Sequence, residues 1–454
     1  MARRLEVVPS SVVPRSPTWP SRASDAHAPL RACYRTIVSH TVDCAARMRH
    51  WDGRVERVAG TVDGDTIDTL ASEFVPRQLK AAVRVYTDAL YKASHEQVSI
   101  AWYTPARLRP CVGRVGTMLY ALHVLRSIAT TDTSTPRPMR VRFIDFPVPK
   151  RVPPPPSDDA RLVIWTPDHV NTGCCYQGDP WSPMVWRREE CVKTCLHEML
   201  HGLGADVEVN HNDRGRWRRW LGERFRVDAD AYPFLISESV VETKATLLNL
   251  ICFCDDEQAF VEAVARERHF VTWQCAKILH CSRLRSWEVF ARIGAPRADA
   301  DALIHQRTNL ISYFLVKAAY LWSLDWFLRW FPLHQLPSRV APPSITVWQQ
   351  HLEAVLIRDA AFGREIDWFI AAIEAANNNN DATTRSALDT MSAVTMRMTC
   401  HEGSLMRLGG GGGGGSSGRR RTRRRTRHAV RTRGRGGRRR FTNHLSERFL
   451  RNFG

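Results

Sequence analysis

Apolar residues recur along Cys191–Leu203 at the spacing of one helix face. Val192, Cys195, Leu196, Met199, Leu200 and Leu203 fall on an arc of about 140°. His197, Glu198 and His201 fall on the opposite arc. This predicts an amphipathic helix with a packed back and a polar front, ended near Gly202 and Gly204. A second helix is expected after Pro233, running to Ile251. On it Glu238, Glu242 and Asn249 share one face, with Ala245 beside them, while Val240, Val241, Leu247, Leu248 and Ile251 lie on the other.

The chain before these helices mixes both periods. Residues 31–50 suit a short helix, and Pro76–Ser94 a second, with Leu79, Val83, Tyr86, Leu90 and Tyr91 on one stripe. Val98–Tyr103 predicts a strand, Gly113–Ala129 an apolar helix and Met139–Phe146 an alternating strand. Pro153–Asp159 is a proline-rich connection, and Arg161–Thr166 a further short strand. Beyond Ile251 the pattern is mainly helical, most strongly over Glu257–Arg268, Leu303–Phe331 and Ile345–Ala376. Leu310–Trp330 is apolar, but Lys317, Asp325 and Arg329 interrupt it, so a core helix is expected rather than a membrane span. The expectation is an α+β region over 31–375, with a small mixed sheet in a lobe to about 204 and a helical lobe after about 233.

The polar front of the first helix reads His197-Glu198-Met199-Leu200-His201, an H-E-x-x-H match. Histidines four apart lie about 40° from each other and one turn apart, so both can reach one Zn²⁺. Glu198 then stands where it can take a proton from a metal-bound water. Catalytic zinc sites use three protein ligands, so a third is needed. Glu238 is the first candidate, with Glu242 one turn on able to hold a ligating histidine through its other ring nitrogen. His211 ranks second and Asp206 third. The longer pattern H-E-x-x-H-x-x-G-x-x-H accommodates Gly204 but puts Val207, which cannot bind metal, in its third ligand position. Cys191 and Cys195 lie on the back of the helix and read as core.

These two segments resemble the gluzincins, the thermolysin-like and aminopeptidase-like zinc peptidases, which pair H-E-x-x-H with a later N-E-x-x-x-D or E-x-x-x-D/E helix. The resemblance implies zinc held by His197, His201 and Glu238, Glu198 as general base, Glu242 orienting a histidine, and hydrolysis of peptide bonds. It departs from the family at Ser237, where Asn is frequent, and at Glu242, where Asp is usual. Thirty-six residues separate His201 from Glu238, about twice the family's gap, which implies an insertion. The chain is also similar to zincin-like proteins of large DNA viruses, which carry an S-E-x-x-x-E helix and a later T-N-x-x-S-Y stretch, matched by Thr308–Tyr313. By family analogy Tyr313 or Tyr232 would donate to the oxyanion, with His269 and His280 as alternatives. In zincins an edge strand before the active helix binds extended substrate, and Asn171–Tyr176 is either that strand or a surface turn. No G-x-M-E-N motif of exopeptidases is visible, which leans towards an endopeptidase.

Composition changes the picture mainly at the C-terminus. The net charge of +19 includes thirteen arginines in Arg419–Arg440, where there is no acid; without them it falls to +6. Residues 376–418 read as a linker, with a modest helix over Arg385–Met398 and a tether through Gly409–Gly415. The tail 419–454 repels itself and cannot bury a core, so disorder is expected there, as in residues 1–30. Its run Arg419, Arg420, Arg421, Arg423, Arg424 and Arg425 should bind nucleic acid or another polyanion without sequence preference. This leaves a rival function, a polyanion-binding structural protein with an inert zincin-like fold. The insertion at 205–232 interleaves arginines with Trp217, Trp220 and Phe225. A helix packing its tryptophans on the body is expected, ahead of a single-strand binding surface. Twelve scattered cysteines without C-x-x-C pairing suit reduced thiols in an intracellular setting, with the nucleus or a virion as alternatives.

Overall fold

Segments of period two in the first half build one sheet. The computed structural model describes residues 27–59, 64–130, 138–153, 162–176, 179–207, 209–292, 302–336, 341–378 and 396–400. Among them the fold is α+β, as the pattern predicts. The strands are β1 (Glu56–Val58), β2 (Ala89–His95), β3 (Val98–Thr104), β4 (Met139–Ile144), β5 (Ile164–Trp165), β6 (Gly173–Tyr176), β7 (Asp179–Trp186) and β8 (His305–Gln306). Six form a mixed sheet in the order β1-β2-β3-β4-β7-β6; β5 pairs only with β8. β3, β4 and β7 run parallel, and β6 returns antiparallel along β7.

The helices are α1 (Ala28–Met48), α2 (Gly64–Ala71), α3 (Arg77–Tyr86), α4 (Val112–Thr130), α5 (Pro167–Val170), α6 (Cys191–Gly202), α7 (His211–Arg224), α8 (Ile236–Phe253), α9 (Glu257–Cys281), α10 (Trp287–Phe290), α11 (Lys317–Trp322), α12 (Leu324–Trp330), α13 (Ile345–Glu353) and α14 (Ala360–Asn378). Alternation along the strands divides the core in two. Ile100, Trp102, Val141, Phe143 and Val185 join the large core shared with α1, α4, α6, α8 and α9. Ala101, Tyr103, Ile144, Met184 and Trp186 face the other way, under Leu70, Val75 and Leu79 beside α2 and α3. No helix among the described residues is long and apolar enough to cross a membrane.

Several expectations need correction. Residues 28–30, expected within the disordered start, instead open α1, and Leu30 is buried in the core. The helix expected over Pro76–Ser94 stops at Tyr86, and Leu90 and Tyr91 fall in β2. The alternation of buried Ala89, Tyr91 and Ala93 fits pairing with β3, and that pairing overrides the helical stripe. The strand expected over Arg161–Thr166 shrinks to β5 and lies outside the main sheet. The helix expected over Leu303–Phe331 begins with β8, continues as a π-helical stretch Ile311–Val316, and breaks at Ser323 between α11 and α12. The helix expected over Arg385–Met398 lies mostly outside the described residues, and its last residues, Met396–Met398, are not helical. The expectations for 1–26 and 401–454, including the glycine tether and arginine tail, also lie outside the described residues.

The insertion between α6 and α8 does contain a helix. Asn210 caps α7 by accepting from the Asp213 backbone N–H at 2.9 Å. Trp217 is 1% exposed and packs edge-on against Trp220, Phe234 and Trp348. The arginines of α7 lie on its outer face, Arg216 towards Asp213 and Arg224 onto Glu353, whereas Arg226 beyond it is buried and donates to Val289 O. Trp217 and Trp220 are spent on the core and are not available to stack on bases.

Candidate metal centre

A sharp turn between β7 and α6 sets the site. Arg187 and Glu190 both take left-handed backbone, at φ of 82° and 59°, which is costly for residues with a side chain. Buried contacts hold the turn. The Arg187 guanidinium donates to the carbonyls of Asn171 at 3.2 Å, Val148 at 2.8 Å and Asp168 at 2.8 Å. Glu190 is fully buried against Lys150. Its carboxylate is part of a buried ion pair.

At its other end α6 closes in a Schellman arrangement. The Ala205 N–H donates to Leu200 O and the Gly204 N–H to His201 O, with Gly204 at φ of 68°. The chain therefore turns back on the helix and brings Asp206 Oδ2 to 2.8 Å from His201 Nδ1. Across the interface between α6 and α8, Glu242 Oε2 lies 3.0 Å from His197 Nδ1. His201 thus directs its Nδ1 at a carboxylate, and His197 Nδ1 has the Glu242 carboxylate 3.0 Å away but out of hydrogen-bond alignment; a proton on Nδ1 of each ring leaves Nε2 as an acceptor.

Those two Nε2 atoms face each other at 3.2 Å. Glu238 Oε2 lies 3.4 Å from that of His197 and 3.5 Å from that of His201. Three acceptors directed at one another repel unless a proton or cation lies among them. Ligands about 2.05 Å from a tetrahedral zinc are separated by about 3.3 Å, so the three spacings fit such an ion. Among the described residues a second set of potential ligand atoms also clusters, on His95, Glu96 and His123. There His123 turns one nitrogen to His95 at 2.9 Å and the other towards Glu96 at 3.8 Å, so its donors diverge.

Electrostatics in the metal-free chain follow from this crowding. Burial opposes charge on both imidazoles, but Glu238, with Glu242 beside His197 and Asp206 beside His201, carries both above the ordinary histidine value. Burial likewise opposes ionisation of Glu238, and the two imidazoles overcome it and hold the carboxyl well below its usual range. Glu242 is held low, against burial, by Lys193 and Lys317. Glu198 behaves differently. Burial raises its carboxyl, and the nearby histidines only partly offset that.

Glu198 lies directly under the sheet edge. β6 is the outermost strand, and a Cβ on Gly173 would come within 2.7 Å of Glu198 Oε1. Gly173–Tyr176 is thus an edge strand among the described residues, with Asn171 and Thr172 leading into it rather than part of it. Asn171 anchors its base by donating to Phe74 O at 3.1 Å and accepting from Thr308 Oγ1 at 2.6 Å. Three polar side chains of the Thr308–Tyr313 stretch have partners near the site. Thr308 holds Asn171, Ser312 Oγ donates to Leu235 O at the start of α8, and Tyr313 donates to Glu238 Oε2 at 3.1 Å. The Tyr313 ring packs edge-on against His197, and burial, then Glu238 and Glu198, keep its phenol protonated far above the usual value. It stands in the π-helical stretch, a deviation common at functional sites.

The other expected residues sort clearly. Tyr232 is half-buried, its phenol pushed up to about 12 by burial and by Glu238 and Glu73. His269 pairs with Glu365 and His280 approaches Glu374, so both belong to the α9–α14 interface. Asp206 serves the far nitrogen of His201 and is not among the converging acceptors. His211 opens α7, and its side chain lies outside the described residues. Sequence reasoning missed Gly173 as a contact to Glu198, and it missed the buried lysines behind Glu242. Comparison of the chain with protein-family models, curated proteins and solved structures finds no match.

Proposed function

We propose that the chain is a zinc metallopeptidase of gluzincin type, cutting within extended peptide segments. The convergence of His197 Nε2, His201 Nε2 and Glu238 Oε2 at 3.2 to 3.5 Å carries this reading. A bound zinc would polarise the scissile carbonyl and lower the pKa of a water at its open position. Glu198, its carboxyl raised by burial, would accept the proton of the attacking water and return it to the departing amine. Glu242 and Asp206 would keep the two histidines in one tautomer. Tyr313, held protonated, would donate to the oxygen that gains charge in the tetrahedral state. Among the described residues β6 is an edge strand of the sheet, and the backbone of an extended substrate would add as a strand beside Glu198. The arginine run of the tail gives the protein a polyanion partner, so tail and site would act in one molecule.

Metal content and turnover together test this. About one zinc per chain is expected by elemental analysis, with Glu198→Gln keeping the metal and losing turnover on a quenched peptide library by about 10²-fold or more. No zinc in the reconstituted chain would remove the proposal and leave the polyanion-binding reading, whereas full turnover by Glu198→Gln would remove Glu198 as the base and with it this mechanism.

A further inference from the structure

Six charged side chains lie behind His197, each no more than 1% exposed: Lys150, Glu190, Lys193, Glu242, Lys317 and Glu267. Their charges cancel. Glu242, whose Oε2 touches His197 Nδ1, receives Lys193 Nζ at 2.7 Å on that oxygen and Lys317 Nζ at 3.2 Å on the other. Lys317 also reaches Glu267 at 3.4 Å.

The far side of this cluster is completed by a short piece of chain that is remote in sequence. Residues 396–400 are not part of any helix or strand, yet Met396, Met398 and Thr399 are buried. Their backbone supplies what the charges lack. The N–H groups of Met398 and Thr399 donate to Glu190 Oε1, the latter at 2.7 Å. Lys317 donates to Met398 O. Glu267 Oε2 accepts from Thr399 Oγ1 at 2.9 Å and from the Cys400 N–H at 3.0 Å. Lys193 touches Met398 Sδ at 3.3 Å. The segment is thus a strap bonded to the same lysine that holds Glu242.

A buried charge that loses one partner is costly, and it relaxes by moving towards another. Without the strap Lys317 loses a carbonyl, Glu190 loses two donors, and Glu267 loses three, the third being the Cys400 thiol at 3.2 Å. Lys193 and Lys317 would then be drawn to those carboxylates and away from Glu242. We propose that residues 396–400 are a positioning strap for the metal ligand His197, acting through Lys317 and Glu242, so that metal affinity depends on the strap being seated. The inference rests on the metal site proposed above. It goes beyond that site because it makes a segment near the C-terminus part of the metal's support.

The test uses the full chain with residues 396–400 replaced by Gly-Ser-Gly-Ser-Gly. Two readouts are taken: zinc affinity by chelator competition, and the ring-nitrogen NMR signals of His197 in the metal-free protein. The expected result is a fall in affinity of about 10- to 100-fold, the range for partners that orient a ligand. The His197 signals should move from one tautomer to a mixture, and a synthetic peptide of residues 394–402 should restore both readouts. Unchanged affinity and tautomer in the folded replacement chain would overturn the proposal, as would a peptide that restores neither. Should the replacement unfold, Thr399→Pro, which removes one donor to Glu190, carries the same test; it should lower affinity and disturb the tautomer, and an unchanged result overturns. Failure of the wild-type chain to bind zinc would refute the metal site instead, and the metal-free histidine signals would then decide the strap's role alone.

Discussion

Adding one methyl group at Gly173 tests whether the sheet edge and the general base are joined as described. An alanine Cβ there would lie 2.7 Å from Glu198 Oε1, 2.7 Å from Thr194 Cγ2 and 2.9 Å from Glu198 Cγ, where ordinary contacts begin at 3.4 Å. Both close contacts are therefore short by about 0.7 Å. The carboxylate end of Glu198 can swing aside. Thr194 cannot, because its methyl is fixed to a β-branched carbon on a buried helix. Glu198 must move, and β6 must lift as well. Overpacking of this kind costs about 1–3 kcal/mol. A displacement of the base by about 1 Å costs about 10²-fold in turnover. Neither Glu198 nor Thr194 belongs to the proposed ligand set, so under the proposed mechanism Gly173→Ala should leave zinc binding intact while losing a few degrees of melting temperature and about 99% of peptide turnover. Melting temperature and turnover both equal to wild type would show that β6 does not run across Glu198, and the edge-strand account of substrate binding would fall with it.

The remaining predictions concern the metal and the tail. Glu238→Ala and His201→Ala should each abolish zinc binding, whereas Asp206→Ala should keep one zinc at about 10- to 100-fold weaker affinity. Equal and complete loss in all three would make Asp206 a ligand. His197 and His201 sit above the ordinary histidine value, so a zinc ion binding at the proposed site would displace protons from them. Affinity should therefore fall as pH drops from about 8 to 6, with proton release seen by calorimetry in buffers of different ionisation enthalpy; a flat profile without release would contradict the site's electrostatics. Removing residues 409–454 should abolish salt-sensitive binding to a DNA duplex and leave turnover of a small peptide intact. Duplex binding by the truncated chain with an unchanged salt slope would place the polyanion site on the folded body.

What the sequence revealed depended on how local each constraint is. α6 and α8 were legible because a metal site on a helix needs its donors on one face, and that face is written in a 3.6-residue period. Glu238 and Glu242 followed from the same rule, one turn apart. β7 was not legible, since Pro180 and Pro183 break the alternation; only Met184–Trp186 pair with β4, and the pairing with β6 is irregular. β2 was misread because Leu90 and Tyr91 extend a helical stripe that only pairing with β3 cancels. The buried ion pairs were the least legible. A lysine on a helix reads as solvent-facing by default, and nothing near Lys193 or Lys317 in sequence names Glu242 or Met398 as its partner.

That failure carries information about the site. Replacing a buried ion pair by apolar residues of similar size is often neutral or stabilising, so stability alone does not call for six buried charges in one place. Apolar residues would pack that volume but could not fix the orientation of a carboxylate. Glu242 needs a fixed orientation, because only one of its oxygens can meet His197 Nδ1 while the other is turned to Lys317. The charges therefore make physical sense as a positioning device for a histidine, and the hidden part of this fold is concentrated directly behind the residue on which the proposed chemistry depends.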